Sequence, residues 1–158
     1  MSAIDEKVNA FLAGERIAVA GVSRGGQSPA NSIYVRLKQA GHTVFAVNPN
    51  METFDGQLCY PDIPSIPGGV DGVVVVTRPE TTLELVRQCQ QAGVRHVWMH
   101  RSLGFIGGGS VSEEAVAFCK EQGIEVIAGA CPMMFCEPVD FGHKCMRWMM
   151  RLAGSIPG

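Results

Sequence analysis

The chain alternates between short runs of consecutive apolar residues and longer stretches in which apolar positions recur every three or four residues. The runs are Ile17, Ala18, Val19 and Ala20 with Val22, then Thr43 to Val47, Gly72 to Thr77, Arg95 to His100 and Ile124 to Ala128. Apolar at successive positions and rich in Val and Ile, they predict strands covered on both faces, as in a parallel sheet. Between them, Ala30, Ile33, Leu37 and Ala40 make a helical stripe closed by Gly41. Leu83, Val86 and Cys89 make a second stripe ending at Gly93, and a third runs through Val116 and Cys119 to Gly123. Helix-start chemistry accompanies each stripe. Ser28 caps the first and Pro29 suits its opening position, while Thr77 with Glu80 and Ser110 with Glu113 have capping-box spacing.

Strand and helix in repeated alternation predict an α/β fold: a doubly wound, parallel five-stranded sheet with helices on both faces. Right-handed crossovers favour strand order 3-2-1-4-5, with ligand held above the carboxyl ends of the first and fourth strands. Three segments stand outside this pattern. Residues 1–14 predict a short amphipathic helix with Ile4, Val8, Phe11 and Leu12 on one side. Residues 51–70 are broken by Pro61, Pro64, Pro67, Gly68 and Gly69, which predicts short 3₁₀ turns or a stub of edge strand. From Asp140 an extra C-terminal helix is expected, with Phe141, Cys145, Trp148, Met149 and Leu152 on one face. Lys144, Arg147 and Arg151 form a basic outer stripe on another. Residues 1–158 are thus expected as a single domain, with an N-terminal helix (1–14), a core (15–130) and a C-terminal extension (131–158).

Composition narrows the class. A chain of 158 residues can bury a proper core, and a formal charge of −2 gives no reason to expect nucleic acid or anionic membrane as a partner. No apolar run approaches the roughly 20 residues that span a bilayer. Asp5, Glu6 and Lys7 stand where a signal peptide would be apolar, so a cytoplasmic protein is expected. The six cysteines are then expected as reduced thiols.

The candidate chemistry lies in Gly21-Val22-Ser23-Arg24-Gly25-Gly26, a Gly/Ser-rich turn between an apolar run and a helix start. A helix N-terminus behind such a turn favours a phosphate by geometry and by dipole. A nicotinamide or flavin dinucleotide would want G-x-G-x-x-G there and an acid ending the second strand. That strand ends instead in Asn48-Pro49-Asn50. The topology also brings Arg24, Arg78 and Arg101 to strand ends, which suits a phosphorylated adenosine with a diphosphate: NADP or coenzyme A.

From about Arg16 to Pro132 the chain resembles the stand-alone CoA-binding domain proteins. These are Rossmann-like and similar to the N-terminal domain of the succinyl-CoA synthetase alpha subunit. The resemblance is carried by IAVAGVS, FAVNPN, VVVVTRP, VRHVWM and Cys131-Pro132, in this order. It implies CoA lying over the strand ends, its diphosphate on the first turn and its adenine near the second and third strands. Carried over, it makes Gly21, Ser23, Arg24, Asn48, Pro49, Thr77, Arg78 and His100 contact candidates. Val22, Ser28, Asn50, Pro79 and Arg101 beside them complete the expected set. Two positions depart from the family pattern. Asn50 stands where related domains often carry Lys, and His100-Arg101-Ser102 stands where many carry Gln-Leu-Gly.

Catalytic motifs are missing from the sequence: there is no G-x-S-x-G elbow, no HExxH and no nucleophile–base–orienter set. Cys131 would sit at the end of the fifth strand, with no partner in view to lower its pKa. Cys131, Cys136, His143 and Cys145 match no regular zinc spacing, so no metal is expected. The reading is non-catalytic binding of coenzyme A or an acyl-CoA, as sensor, carrier or partner module. Two alternatives stay open: an NADP- or NAD-binding regulator or small oxidoreductase, and an interaction module with a decayed nucleotide site. The Met/Trp face of the last helix suggests a homo-oligomer or a protein partner.

Overall fold

The computed structural model describes residues 2–101 and 109–154, so Ser102 of the His100-Arg101-Ser102 departure lies outside them. The chain runs α1 (Ala3–Leu12), β1 (Arg16–Ala20), α2 (Pro29–Gln39), β2 (Thr43–Val47), β3 (Thr53–Phe54) and β4 (Gln57–Tyr60). It continues with β5 (Gly72–Val75), α3 (Pro79–Gln91), β6 (His96–Met99), α4 (Glu113–Glu121) and β7 (Glu125–Ala128). A 3₁₀ turn at Pro132–Met134 and α5 (Phe141–Leu152) close it.

The α/β class with helices on both faces is as expected, but the strand count and order are not. The sheet has seven strands in the order β3-β4-β2-β1-β5-β6-β7. All neighbours are parallel except the β3–β4 hairpin. The expected third strand, β5, therefore lies beside β1, and the place outside β2 is taken by β4, with Ala46 opposite Cys59 and Val47 opposite Tyr60. The reason is the Pro-broken stretch. It supplies the expected stub of edge strand, β4 with its hairpin partner β3, and buries Ile63 and Ile66 in the core. It thus makes the crossover from β4 to β5 without a helix, and the switch point falls between β1 and β5.

Side-chain alternation sorts the core into two layers. Ile17 and Val19 of β1, with Val74, Trp98 and Ile127, face α1, α2 and the 3₁₀ turn. Ala18 and Ala20, with Val73, Val75, Val97 and Met99, face α3 and α4. Helix α1 docks through Ile4, Val8 and Phe11. The Phe11 ring meets Trp98 edge-on at 5.4 Å and lies where any side chain on Gly72 would have to go, 2.8 Å from its Cβ position. Trp98 is fully buried and donates to the Gly129 carbonyl at 3.0 Å.

The last helix corrects the sequence reading of its faces. Asp140 caps it as expected, accepting from the His143 N–H. But the apolar stripe points outward: Phe141, Trp148, Met149 and Leu152 are exposed, and Met150 alone is buried. Of the basic residues expected to be outermost, Lys144 is exposed, but the two arginines hold the helix to the body. Arg147 stacks on the Phe135 ring at 5.0 Å and donates to the Met134 carbonyl, and Arg151 pairs with Asp5 at 2.8 Å. Periodicity gives a stripe without saying which way it turns.

Candidate functional site

Strand β1 ends where the chain must leave the sheet for α2 while β5 ends alongside and leaves for α3. Gly21 makes this possible. Its φ is +111°, and a Cβ there would lie 2.2 Å from the Val76 carbonyl oxygen. Only glycine lets the two strand ends approach so closely. Above them opens a crevice of two lobes that share Gly21, Asn48, Asn50, Thr77 and Arg78. One lobe, about 540 Å³, runs along Val47, Pro49 and Pro61 to Leu85 and Gln88 of α3. The other, about 700 Å³, runs over Val22 and Ser23, between Pro29 and Pro79, to His100 and Ser110. Both volumes are in the range of small-molecule sites.

The two helix N-termini that face this crevice differ. At α2, Ser28 accepts from the Asn31 N–H and so closes the cap, as the sequence predicts. At α3 the expected capping box between Thr77 and Glu80 does not form. Pro79 opens the helix, which makes Arg78 the cap, and Arg78 bonds no helix N–H with its side chain. The Thr77 hydroxyl is left buried without a hydrogen-bond partner. A buried hydroxyl in that state costs on the order of 1–3 kcal/mol, so this wall of the crevice is suited to a polar ligand. Exposed Arg78 stands at the same helix end, where dipole and guanidinium both favour an anion.

The expected box at Ser110 and Glu113 fails too, because Ser112 caps α4. Ser110 is instead a crevice wall: its N–H donates to the His100 carbonyl at 2.7 Å, and its own carbonyl accepts from the buried Thr82 hydroxyl at 2.7 Å.

The remaining expected contacts divide sharply. Asn48 is engaged at both ends of its amide: Nδ2 donates to the Val22 carbonyl at 2.7 Å, and Oδ1 accepts from the Asn50 N–H at 2.8 Å. It ties the end of β2 to the end of β1. Arg24, Ser28 and Arg101 do not line either lobe. Arg24 reaches across to the Asn50 carbonyl at 3.2 Å, and Arg101 lies exposed beneath Gly109. His100 lines the far lobe, only 2% exposed, and burial pulls its pKa down to about 4, so the imidazole is neutral at pH 7 and brings no charge to an anion.

One residue that shapes the site escaped the sequence reading. Asn31, in the first turn of α2, accepts from the Ser23 N–H through Oδ1 and donates through Nδ2 to the carbonyls of Ser23 and Gly25, each at 2.9 Å. It moulds the turn and uses the Ser23 N–H that would otherwise face a phosphate. The available signal was a buried-stripe position, between Ala30 and Ile33, filled by an amide.

Cys131 is 4% exposed and lines neither lobe, and burial pushes its thiol up to about 11. Such a thiol is not a nucleophile at neutral pH. Among the described residues no three His, Cys, Asp or Glu side chains converge to hold a metal ion, and no helix is long and apolar enough to cross a membrane.

Comparison with known proteins identifies the family. Acetate–CoA ligase (ADP-forming) I of Archaeoglobus fulgidus is 29% identical over 119 residues, 73% of this chain and 17% of the ligase. The chain spans less than a fifth of the length of the curated relatives it matches. A hypothetical protein from Pyrococcus horikoshii OT3 superposes with a TM-score of 0.77 at 29% identity, covering 85% of this chain and 91% of that one. The dinucleotide-forming acetyl-coenzyme A synthetase 1 of Ca. Korarchaeum cryptofilum gives 0.61 at 27% identity, over 72% of this chain and 25% of that one. Residues 15–137 match the family described as CoA binding domain. By that match, over an α/β sheet with a crevice at its switch point, the chain belongs to the CoA-binding domain family.

Proposed function

We propose that the chain binds coenzyme A or an acyl-CoA along this crevice and performs no chemistry of its own. The observation that carries the reading is the open N-terminus of α3, with the partnerless Thr77 hydroxyl inside it and Arg78 above it. In a CoA-binding family, these are fitting partners for the diphosphate, with Pro29 and the start of α2 on the opposite wall. The lobe along Pro49, Pro61 and Leu85 suits adenine, and the lobe toward neutral His100 and Ser110 suits the uncharged pantetheine arm. No charged nucleophile or paired base lines that second lobe among the described residues.

One observation favours a second reading, an NADP or NAD site. Glu80 and Glu84 line the adenine-side lobe, and carboxylates there bind ribose hydroxyls. Isothermal titration calorimetry with CoA, dephospho-CoA, NADP and NAD separates the two. CoA is expected to bind tightest; NADP binding at least as tightly overturns the proposal. Native mass spectrometry of the purified protein tests the further alternative of a decayed site. A bound mass near that of CoA rejects it, and failure to bind any of these ligands in either experiment supports it.

A further inference from the structure

Helix α5 carries an apolar stripe that the other described residues leave uncovered. Phe141, Cys145, Trp148, Met149 and Leu152 recur at helical spacing, with Phe141 82% exposed, Leu152 71%, Trp148 63% and Met149 48%. No charged residue interrupts the stripe. The helix is also held in this orientation: Met150 is buried beneath it, Arg147 lies on the Phe135 ring, and Arg151 is paired with Asp5. Rotating the stripe inward would break all three contacts.

We propose that this stripe is the two-fold interface of a homodimer, with α5 of one copy packed antiparallel on α5 of another. Three features select a second copy as the occupant. The first is area. With roughly 200 Å² for each large side chain, the exposed fractions give on the order of 500 Å² per copy and about 1,000 Å² for a pair. That stands near the top of the roughly 300–600 Å² of the largest patch on a typical monomer and meets the roughly 1,000 Å² that a specific interface needs. The second is self-complementarity. Antiparallel pairing centred between Cys145 and Trp148 sets Phe141 of one copy on Leu152 of the other, and Cys145 on Trp148, as a two-fold interface requires. The third is charge. Antiparallel packing sets the positive N-terminal end of one helix dipole beside the negative C-terminal end of the other, while Arg151 stays paired with Asp5. An anionic lipid surface fits less well, because Arg147 and Arg151 are bound to the body of the protein rather than splayed around the apolar stripe. None of the stripe residues lines the crevice, so pairing leaves the ligand site open.

Sedimentation equilibrium of the full chain, on the order of 1 to 100 µM, is the test. A dimer is expected, with Trp148→Glu and Leu152→Glu together shifting it to monomer, while Leu58→Glu, exposed on β4, leaves it intact. Circular dichroism of the double variant, with a wild-type spectrum and melting profile, establishes that it folds. Cys145 supplies an independent readout, since it is the one cysteine of the six not buried. A maleimide is expected to label it slowly in wild type, where Trp148 of the second copy covers it, and fast in the double variant. A wild-type monomer at the highest concentration overturns the proposal. So does a dimer indifferent to the double substitution, or a monomer that binds phosphatidylglycerol vesicles through the stripe.

Discussion

Replacing Gly21 with alanine tests the architecture of the crevice at its narrowest point. The added Cβ would lie 2.2 Å from the Val76 carbonyl oxygen and 2.8 Å from its carbon, both backbone atoms that cannot swing aside. A φ of +111° is also a conformation that alanine avoids, at a cost of about 1–3 kcal/mol. Overpacking against a fixed strand adds about 1–3 kcal/mol. The sum, about 2–6 kcal/mol, is a large part of the stability of an ordinary domain and corresponds to a fall in melting temperature of about 5–20 °C. Urea unfolding monitored by circular dichroism measures it, with Gly25→Ala as the control. Gly25 has nothing within 4 Å of its Cβ position and lacks a positive φ, so that variant is expected within about 1 kcal/mol of wild type. A Gly21→Ala protein destabilised by less than about 1 kcal/mol would refute the claim that close approach of β1 and β5 requires glycine here.

Other residues carry separate expectations. Asn31→Ala removes three side-chain hydrogen bonds from the first turn and is expected to cost about 2–3 kcal/mol by urea unfolding. It should also weaken CoA binding in calorimetry; unchanged binding would mean that the turn keeps its shape without the clamp. Arg78→Ala is expected to lower CoA affinity about tenfold with little change in melting temperature, and the loss should shrink at high salt. Thr77→Val, which keeps the shape and removes the partnerless hydroxyl, is expected to leave the free protein as stable or more so, while weakening CoA binding. His100 sets a pH dependence. Its folded pKa of about 4 lies below the ordinary 6.5, so the unfolded chain takes up a proton that the folded chain refuses. Stability from this group is complete above pH 6.5 and declines as pH falls toward 4, by about 3 kcal/mol in all. Unfolding free energies of wild type and His100→Gln at pH 7 and pH 4.5 should differ in their pH slope; parallel slopes would remove His100 as the cause.

What was legible in the sequence is what neighbours along the chain decide. Runs of Val, Ile and Ala marked β1, β2, β5, β6 and β7 because a strand covered on both faces needs apolar side chains at successive positions. Ser28 and Pro29 marked the start of α2 because a cap acts within one turn. The same local rule failed at Thr77 and Glu80, where Pro79 one residue later moved the cap to Arg78. That failure is what leaves a polar opening in the crevice wall.

Tertiary structure decided the rest. Strand β4 was legible only as one of two options for residues 51–70, 3₁₀ turns or a stub of edge strand; it is a strand because β2 offers it an edge. Its arrival placed β5 beside β1 and so fixed the switch point. Asn31 reads as a misplaced polar residue in a helical stripe until the turn folds back over its amide. The stripe on α5 was visible as a period, but its direction depends on Arg147 finding Phe135 and Arg151 finding Asp5, the latter 146 residues away. The sequence alone determined most of the elements, because propensity, capping and periodicity act over a few residues. Strand order, the shape of the crevice and the outward face of the last helix come from contacts between distant segments, which no local pattern encodes.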